Sequence, residues 1–251
     1  MKKTQQKLLF GGRELILETG ELAPQANSAV LARCGGTVIL ATVVAASPRE
    51  DLDYFPLQVE YVERLYAGGR IKGSRWVKRE GKPSDEAILS ARLVDRSIRP
   101  LFPSGFRNEV QVILTVLSVD HENDPQILAA IAASAALHIS DIPWQGPLAI
   151  VRVGFHDGHY FINPTNGEKE NSDLDLIVSV GQEGIVMLEG KANQVLEKDF
   201  IGAIEFASKE GQKLIEFIEA FRAKVGKSKM SFKQPDLAVI KKIGELAKKD
   251  I

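Results

Sequence analysis

The sequence predicts an α/β (α+β) layered fold, and three observations carry that expectation. Short β-branched runs bounded by turn residues fill the chain between Leu8 and Tyr61 and return after Ala149. Ala-rich and amphipathic segments of helical length interrupt them. The resulting order is strands, helix, strand, helix, strands, helix, as in sheets covered by packed helices. With 251 residues, 44% of them hydrophobic, the chain can bury one substantial core, or one core plus a small helical appendage.

Arg13 to Glu18, Ser28 to Arg33, Val38 to Val44 and Phe55 to Tyr61 read as antiparallel strands. Gly35-Gly36 between two of them supplies the positive-φ residues of a tight hairpin. Cys34 beside that turn reads as a packing residue, because no histidine lies near it in sequence to activate a thiol. From Tyr66 to Glu80 glycines and charges are too dense for a core element, so an exposed loop is expected.

Ser84 then N-caps a helix, Asp85 and Glu86 sit favourably at its positive end, and Pro100 closes it. Val110 to Ser118 is too rich in β-branched residues for a helix and reads as a buried strand. Asp124-Pro125 pairs an N-cap with proline at the first helical position, and opens an Ala-rich core helix running from Ile127 to Ile139.

Strand character returns in Ala149 to Phe155, His159 to Ile162, Leu174 to Val180 and Ile185 to Gly190, with Asp157-Gly158 a hairpin turn. Glu197 to Val225 is a long amphipathic helix. Beyond Gly226 lies a polar connector, and a lysine-rich helix begins at Pro235. The expected division is therefore a core domain over residues 1–225, then a connector and the start of an all-helical segment over residues 226–251.

Lys and Arg number 32 against 33 Asp and Glu, a net charge of -1, so any polyanion site must be local. One cysteine excludes an intramolecular disulfide, and no Cys/His cluster has zinc-ligand spacing. The basic N-terminus is followed by an apolar run cut at Gly11-Gly12, Arg13 and Glu14, which does not describe a signal peptide. No later stretch approaches the ~20 apolar residues of a membrane span. A cytoplasmic protein with no membrane partner is the expectation.

Arg92, Arg96 and Arg99, spaced i, i+4, i+7, project from one helix face. Two readings follow: phosphate recognition, or cations that complement the helix C-terminus and pair with Asp95. The preceding loop adds Arg70, Lys72, Arg75, Lys78, Arg79 and Lys82, with Trp76 interleaved. Cations beside an aromatic platform suit single-stranded nucleic acid without strict sequence preference. The alternative is a solvated basic loop.

Several stretches resemble the first core domain of the bacterial polynucleotide phosphorylase family. They are Leu17 to Ala26, Asp53 to Tyr61, Tyr66 to Ser74, Lys78 to Ser84, Ala91 to Phe106, Ala132 to Leu137 and Leu174 to Val178. The resemblance runs in order to about residue 225, and the remainder is similar to the opening of that family's helical linker. It implies an RNase PH-type layered fold with mixed sheets. It also implies a phosphorolytic 3′-to-5′ exoribonuclease that acts in mRNA degradation, using inorganic phosphate to release nucleoside diphosphates. A homotrimer, Mg²⁺ and partners in an RNA-degradation complex come with it.

Because phosphate is the nucleophile, no Ser or Cys nucleophile is needed, and His121, His138, His156 and His159 form no catalytic or metal pattern. By the same resemblance, Trp76, Lys78, Arg79, Arg96 and Arg99 contact RNA. Val77 stands where that family carries a second aromatic. RNase PH-type active domains hold a metal with two aspartates. Asp175 matches the second of these, while Asn171 and Ser172 occupy the region of the first. The resemblance therefore assigns no catalytic residue and no metal ligand to this chain, and places the Mg²⁺ ligands in a second core domain. Two alternatives stay open: a non-catalytic RNA-binding or scaffold module, and a free-standing tRNA-trimming phosphorolytic enzyme.

Overall fold

The computed structural model describes residues 2–48, 52–71, 73, 81–232, 242 and 244–246. The helix expected from Pro235 falls almost entirely outside them. A six-stranded sheet contains β1 (Thr4–Phe10), β2 (Arg13–Thr19), β3 (Ser28–Cys34), β4 (Thr37–Ala45), β5 (Leu57–Val62) and β6 (Val110–Ser118), in the order β1-β2-β3-β4-β6-β5. A four-stranded sheet contains β7 (Ala149–His156), β8 (His159–Ile162), β9 (Leu174–Val180) and β10 (Ile185–Ala192), in the order β10-β9-β7-β8. The helices are α1 (Asp85–Ile98), α2 (Pro125–Ile139), a short α3 (Asn166–Glu170) and α4 (Glu197–Val225).

Helix α2 is the centre of the core. Every residue from Ile127 to Ile139 is buried, and the helix packs on β3 and β4 of one sheet, on β7 of the other and on α4. Five alanines from Ala129 to Ala135 permit that close approach. The serines inside are satisfied. Ser134 donates to the Leu148 carbonyl (2.7 Å) and accepts from the Leu148 amide (2.9 Å), while Ser28 donates to Ala136 O at 2.5 Å. Asp124 caps the helix by accepting from Gln126 N, as its position before Pro125 predicts.

Two details differ from expectation. The strand expected over Phe55 to Tyr61 is not antiparallel: β5 pairs in parallel with β6, Leu57 opposite Val110 through Val62 opposite Thr115. The chain leaves β5, passes through α1 and returns in β6, and a helical crossover brings strands together in the same direction. At the β3–β4 hairpin only Gly35 has positive φ (+57°); Gly36 instead donates its amide to Asp120 Oδ2 at 2.9 Å. A Cβ on Gly35 would lie 2.7 Å from Asn123 Nδ2 and 2.8 Å from Asp120 Oδ2, which is why this turn takes glycine.

The polar connector after α4 docks on the core over residues 226–232. Lys229 Nζ donates to the carbonyls of Leu137, His138 and Ser140 at 2.9–3.1 Å, closing the C-terminal end of α2 whose last carbonyls lack helical partners. Lys227 N donates to Ile139 O, Met230 N donates to Asp141 O, and Phe232 meets Phe106 edge-on at 5.6 Å. Among the described residues no helix is long and apolar enough to cross a membrane.

Candidate nucleic-acid interface

Ser84 fixes the start of α1. Its hydroxyl accepts from Ala87 N and donates to Glu63 Oε2 at 2.7 Å, tying the helix to the end of β5. Apolar positions Ala87, Leu93, Val94 and Ile98 bury one face of the helix, so the arginines face outward. Between α1 and the segment from β5 to Arg70 lies a cleft of about 1510 Å³. Ile88, Arg92, Asp95 and Arg99 line one wall, and Arg64, Tyr66, Arg70 and Lys82 are among its other residues.

The three arginines expected to act together have different surroundings. Arg99 donates Nε and Nη2 to Asp95 (2.9 and 2.7 Å), and reaches the carbonyls of Leu57 and Phe55 at 3.1 and 3.3 Å. It braces β5 against α1 while its charge faces the cleft. Arg96 gives one nitrogen to Glu189 of β10 at 2.5 Å; at 49% and 47% exposure the pair is a surface contact that leaves other guanidinium donors available. Arg92 has no hydrogen-bond or ion-pair partner among the described residues. Trp76, Lys78 and Arg79 lie outside the described residues.

Asp175 is engaged by an arginine. Arg152 of β7 places Nη1 2.7 and 2.9 Å from its two carboxylate oxygens. The same guanidinium lies 3.0 Å from Asp124 Oδ2 through Nε and donates to Gln126 Oε1 at 2.9 Å. Arg152 and Asp124 are close to nine-tenths buried, so the arginine pairs with both carboxylates where unpaired charge would be costly. No periodicity marks Arg152 as special, and sequence reasoning missed it. Asp173 instead sits 3.4 Å from His156 Nδ1 at the sheet rim.

The loop from β6 to α2 is organised by Asp120. Burial works against its charge, yet the Asn123 amide, the Asn123 side chain, the Glu122 amide and the Thr37 hydroxyl all donate to it and hold its carboxyl well below the usual range. His121 next to it adopts a left-handed φ of +64° and lines the cleft. Asp120→Ala is expected to cost ~2–3 kcal/mol at neutral pH, as bonds to a charged acceptor are lost. A depressed carboxyl contributes stability above its unfolded pKa, about 4, and loses it as the pH falls further. The difference between wild type and variant in urea midpoints should therefore narrow from pH 7 to pH 3. Burial raises the Cys34 thiol, which suits its role as a packing residue.

Comparison with known proteins agrees with this architecture. The description "3′ exoribonuclease family, domain 1" matches residues 11–143, and domain 2 of the same family matches residues 146–210. The polyribonucleotide nucleotidyltransferase of Thermus thermophilus is 51% identical over 230 residues, covering 92% of this chain and 32% of the relative. That of Geobacillus kaustophilus is 50% identical over 253 residues, covering 98% and 35%. The chain thus spans about a third of the length of the curated relatives it matches.

Among solved structures, rice Rrp46 superposes with a TM-score of 0.64 at 14% identity, covering 88% of this chain and 94% of that one. The Archaeoglobus fulgidus exosome with RNA bound to the active site gives 0.61 at 19%, covering 86% and 87%. These two show the fold, an RNase PH-type layering of two sheets and helices. With the domain-1 match extending over more than half of its length, the chain belongs to the 3′ exoribonuclease family.

Proposed function

We propose that this chain is the RNA-gripping and subunit-contacting part of a phosphorolytic 3′-to-5′ exoribonuclease, a polyribonucleotide nucleotidyltransferase. The whole enzyme degrades single-stranded RNA, mRNA included, with inorganic phosphate and releases nucleoside diphosphates. Residues 1–225 form the first core domain, and residues 226–251 the connector and the start of a helical linker. Trp76, Lys78 and Arg79 of the loop and Arg96 and Arg99 of α1 contact RNA. The assembly is a cytoplasmic homotrimer, open to other RNA-degrading partners.

The observation that carries this reading is the cleft beside α1, with Arg92 and Arg99 along its wall and Arg64, Arg70 and Lys82 among its other residues, in a chain half identical to such enzymes. Guanidinium and ammonium groups neutralise backbone phosphates of any sequence, and an exposed indole stacks on any base. Phosphorolysis needs an oriented phosphate and charge stabilisation at the scissile phosphoryl group. A divalent metal, Mg²⁺ in this reading, supplies the latter. The residues here do not fit it: Asp124 and Asp175 already share Arg152, and among the described residues no group of three His, Cys, Asp or Glu side chains could hold a metal ion. Chemistry is therefore assigned to a second core domain.

The test is to incubate the chain with single-stranded RNA, phosphate and Mg²⁺, following nucleoside diphosphates and RNA affinity together. Binding without product is expected. In the Lys78→Ala/Arg79→Ala double variant, losing two phosphate contacts should lower the salt slope by ~1.4. Phosphate-dependent product that copurifies with the chain would instead place a complete catalytic centre within it. Unchanged affinity and slope in the double variant would remove these two residues from the interface.

A further inference from the structure

The cleft contains an aromatic residue, Tyr66, and a cation, Arg92, to which the reading above gives no individual role. Tyr66 lies in a 3₁₀ turn, Leu65–Gly68, between β5 and the basic loop. The turn is rigidly held: Ala67 beneath it is buried, its carbonyl accepts from Val119 N at 3.0 Å, and Arg70 N closes back on Leu65 O at 2.9 Å. Gly69, with φ of +69°, terminates it in the left-handed region.

The Tyr66 ring is nevertheless 58% exposed and makes no ring contact among the described residues. A large aromatic displayed on a clamped turn forgoes the stabilisation of burial, and it presents a flat face with little entropy left to lose. Arg92, on the α1 wall of the same cleft, is exposed and unpartnered among the described residues, in contrast to Arg96 and Arg99. His121 completes the rim on a turn fixed by Asp120.

We propose that Tyr66 stacks on an RNA base while Arg92 holds a neighbouring phosphate, making the cleft between α1 and the Tyr66 turn a built subsite for single-stranded RNA. This rests on the RNA-binding reading of the chain and adds the residues that read the strand there. Guanidinium suits the phosphate because its planar fork donates two parallel bonds to adjacent oxygens. Every base has a π-face, so the subsite accepts any sequence and excludes duplex, whose bases are already stacked.

The experiment measures binding of labelled single-stranded RNA by anisotropy over a salt series, using the whole chain and variants whose melting is checked in parallel. Tyr66→Ala is expected to weaken binding about 10-fold with its salt slope unchanged, and Tyr66→Phe to stay within about 2-fold of wild type, because stacking needs the ring and not the hydroxyl. Arg92→Ala should weaken binding and lower the slope by ~0.7, one phosphate contact on a single strand. Lys213→Ala, a solvent-facing control on α4, should change neither.

If wild type binds and both Tyr66→Ala and Arg92→Ala bind equally well, this inference fails while the RNA-binding reading stands. If wild type does not bind, both fall. Unchanged affinity with altered sedimentation of Tyr66→Ala would overturn the subsite and assign the face to contact with another copy of the chain.

Discussion

Replacing Arg152 with leucine is expected to destabilise the chain by ~3–5 kcal/mol, the cost of leaving buried carboxylates without their cation. The arginine side chain is 11% exposed, Asp124 10% and Asp175 22%, so water replaces the lost contacts only in part. Lys169 lies 3.6 Å from Asp124 and can offset only one of the two charges. For a chain of this length the melting temperature should fall by roughly 10 °C. Adding Asp124→Asn and Asp175→Asn should recover part of the loss, because the fault lies in uncompensated charge. A leucine variant that melts like wild type would show that Asp175 is solvated or otherwise paired, and would reopen a metal role for it.

The second large effect is expected at Phe106. This ring is 1% exposed and joins Phe55, Phe102 and Phe232 at centroid distances of 5.7, 6.2 and 5.6 Å. Phe106→Ala should cost ~3–5 kcal/mol, the transfer term plus a cavity that the surrounding sheet and turns cannot fill. Its local consequences separate it from other core truncations. Phe232 belongs to the docked connector, and Phe55 lies under the Arg99 guanidinium, 5.9 Å from ring centroid to Cζ. Hydrogen exchange should therefore accelerate over residues 226–232 and at the start of β5, before global unfolding. Uniform acceleration would mean that the cluster is not the anchor of the connector.

Both predictions concern contacts between segments far apart in sequence, and this is where sequence reading runs out. The amino-acid order alone determined most elements. Periodicity and turn chemistry are local, so the Ser84 and Asp124 caps, the buried strand from Val110, the Ala-rich helix and the helix from Glu197 to Val225 were all legible. The strand Thr4–Phe10 was seen only as an interrupted apolar run, because its alternation is half-exposed and gains meaning from pairing with Arg13–Thr19. The arginine spacing on α1 was legible too, since a helix fixes which residues share a face.

Tertiary structure decided what each of those arginines faces. Arg96 meets Glu189 from β10 and Arg99 braces β5, while Arg92 is left open, and no pattern along α1 distinguishes them. The parallel direction of β5, the clamping of Asp175 by Arg152, the exposure of Tyr66 on a rigid turn and the seating of Lys229 on the end of α2 share one cause. Each depends on a partner brought in from a distant part of the chain, and a local pattern specifies what a segment can form but not which charge or carbonyl it will meet.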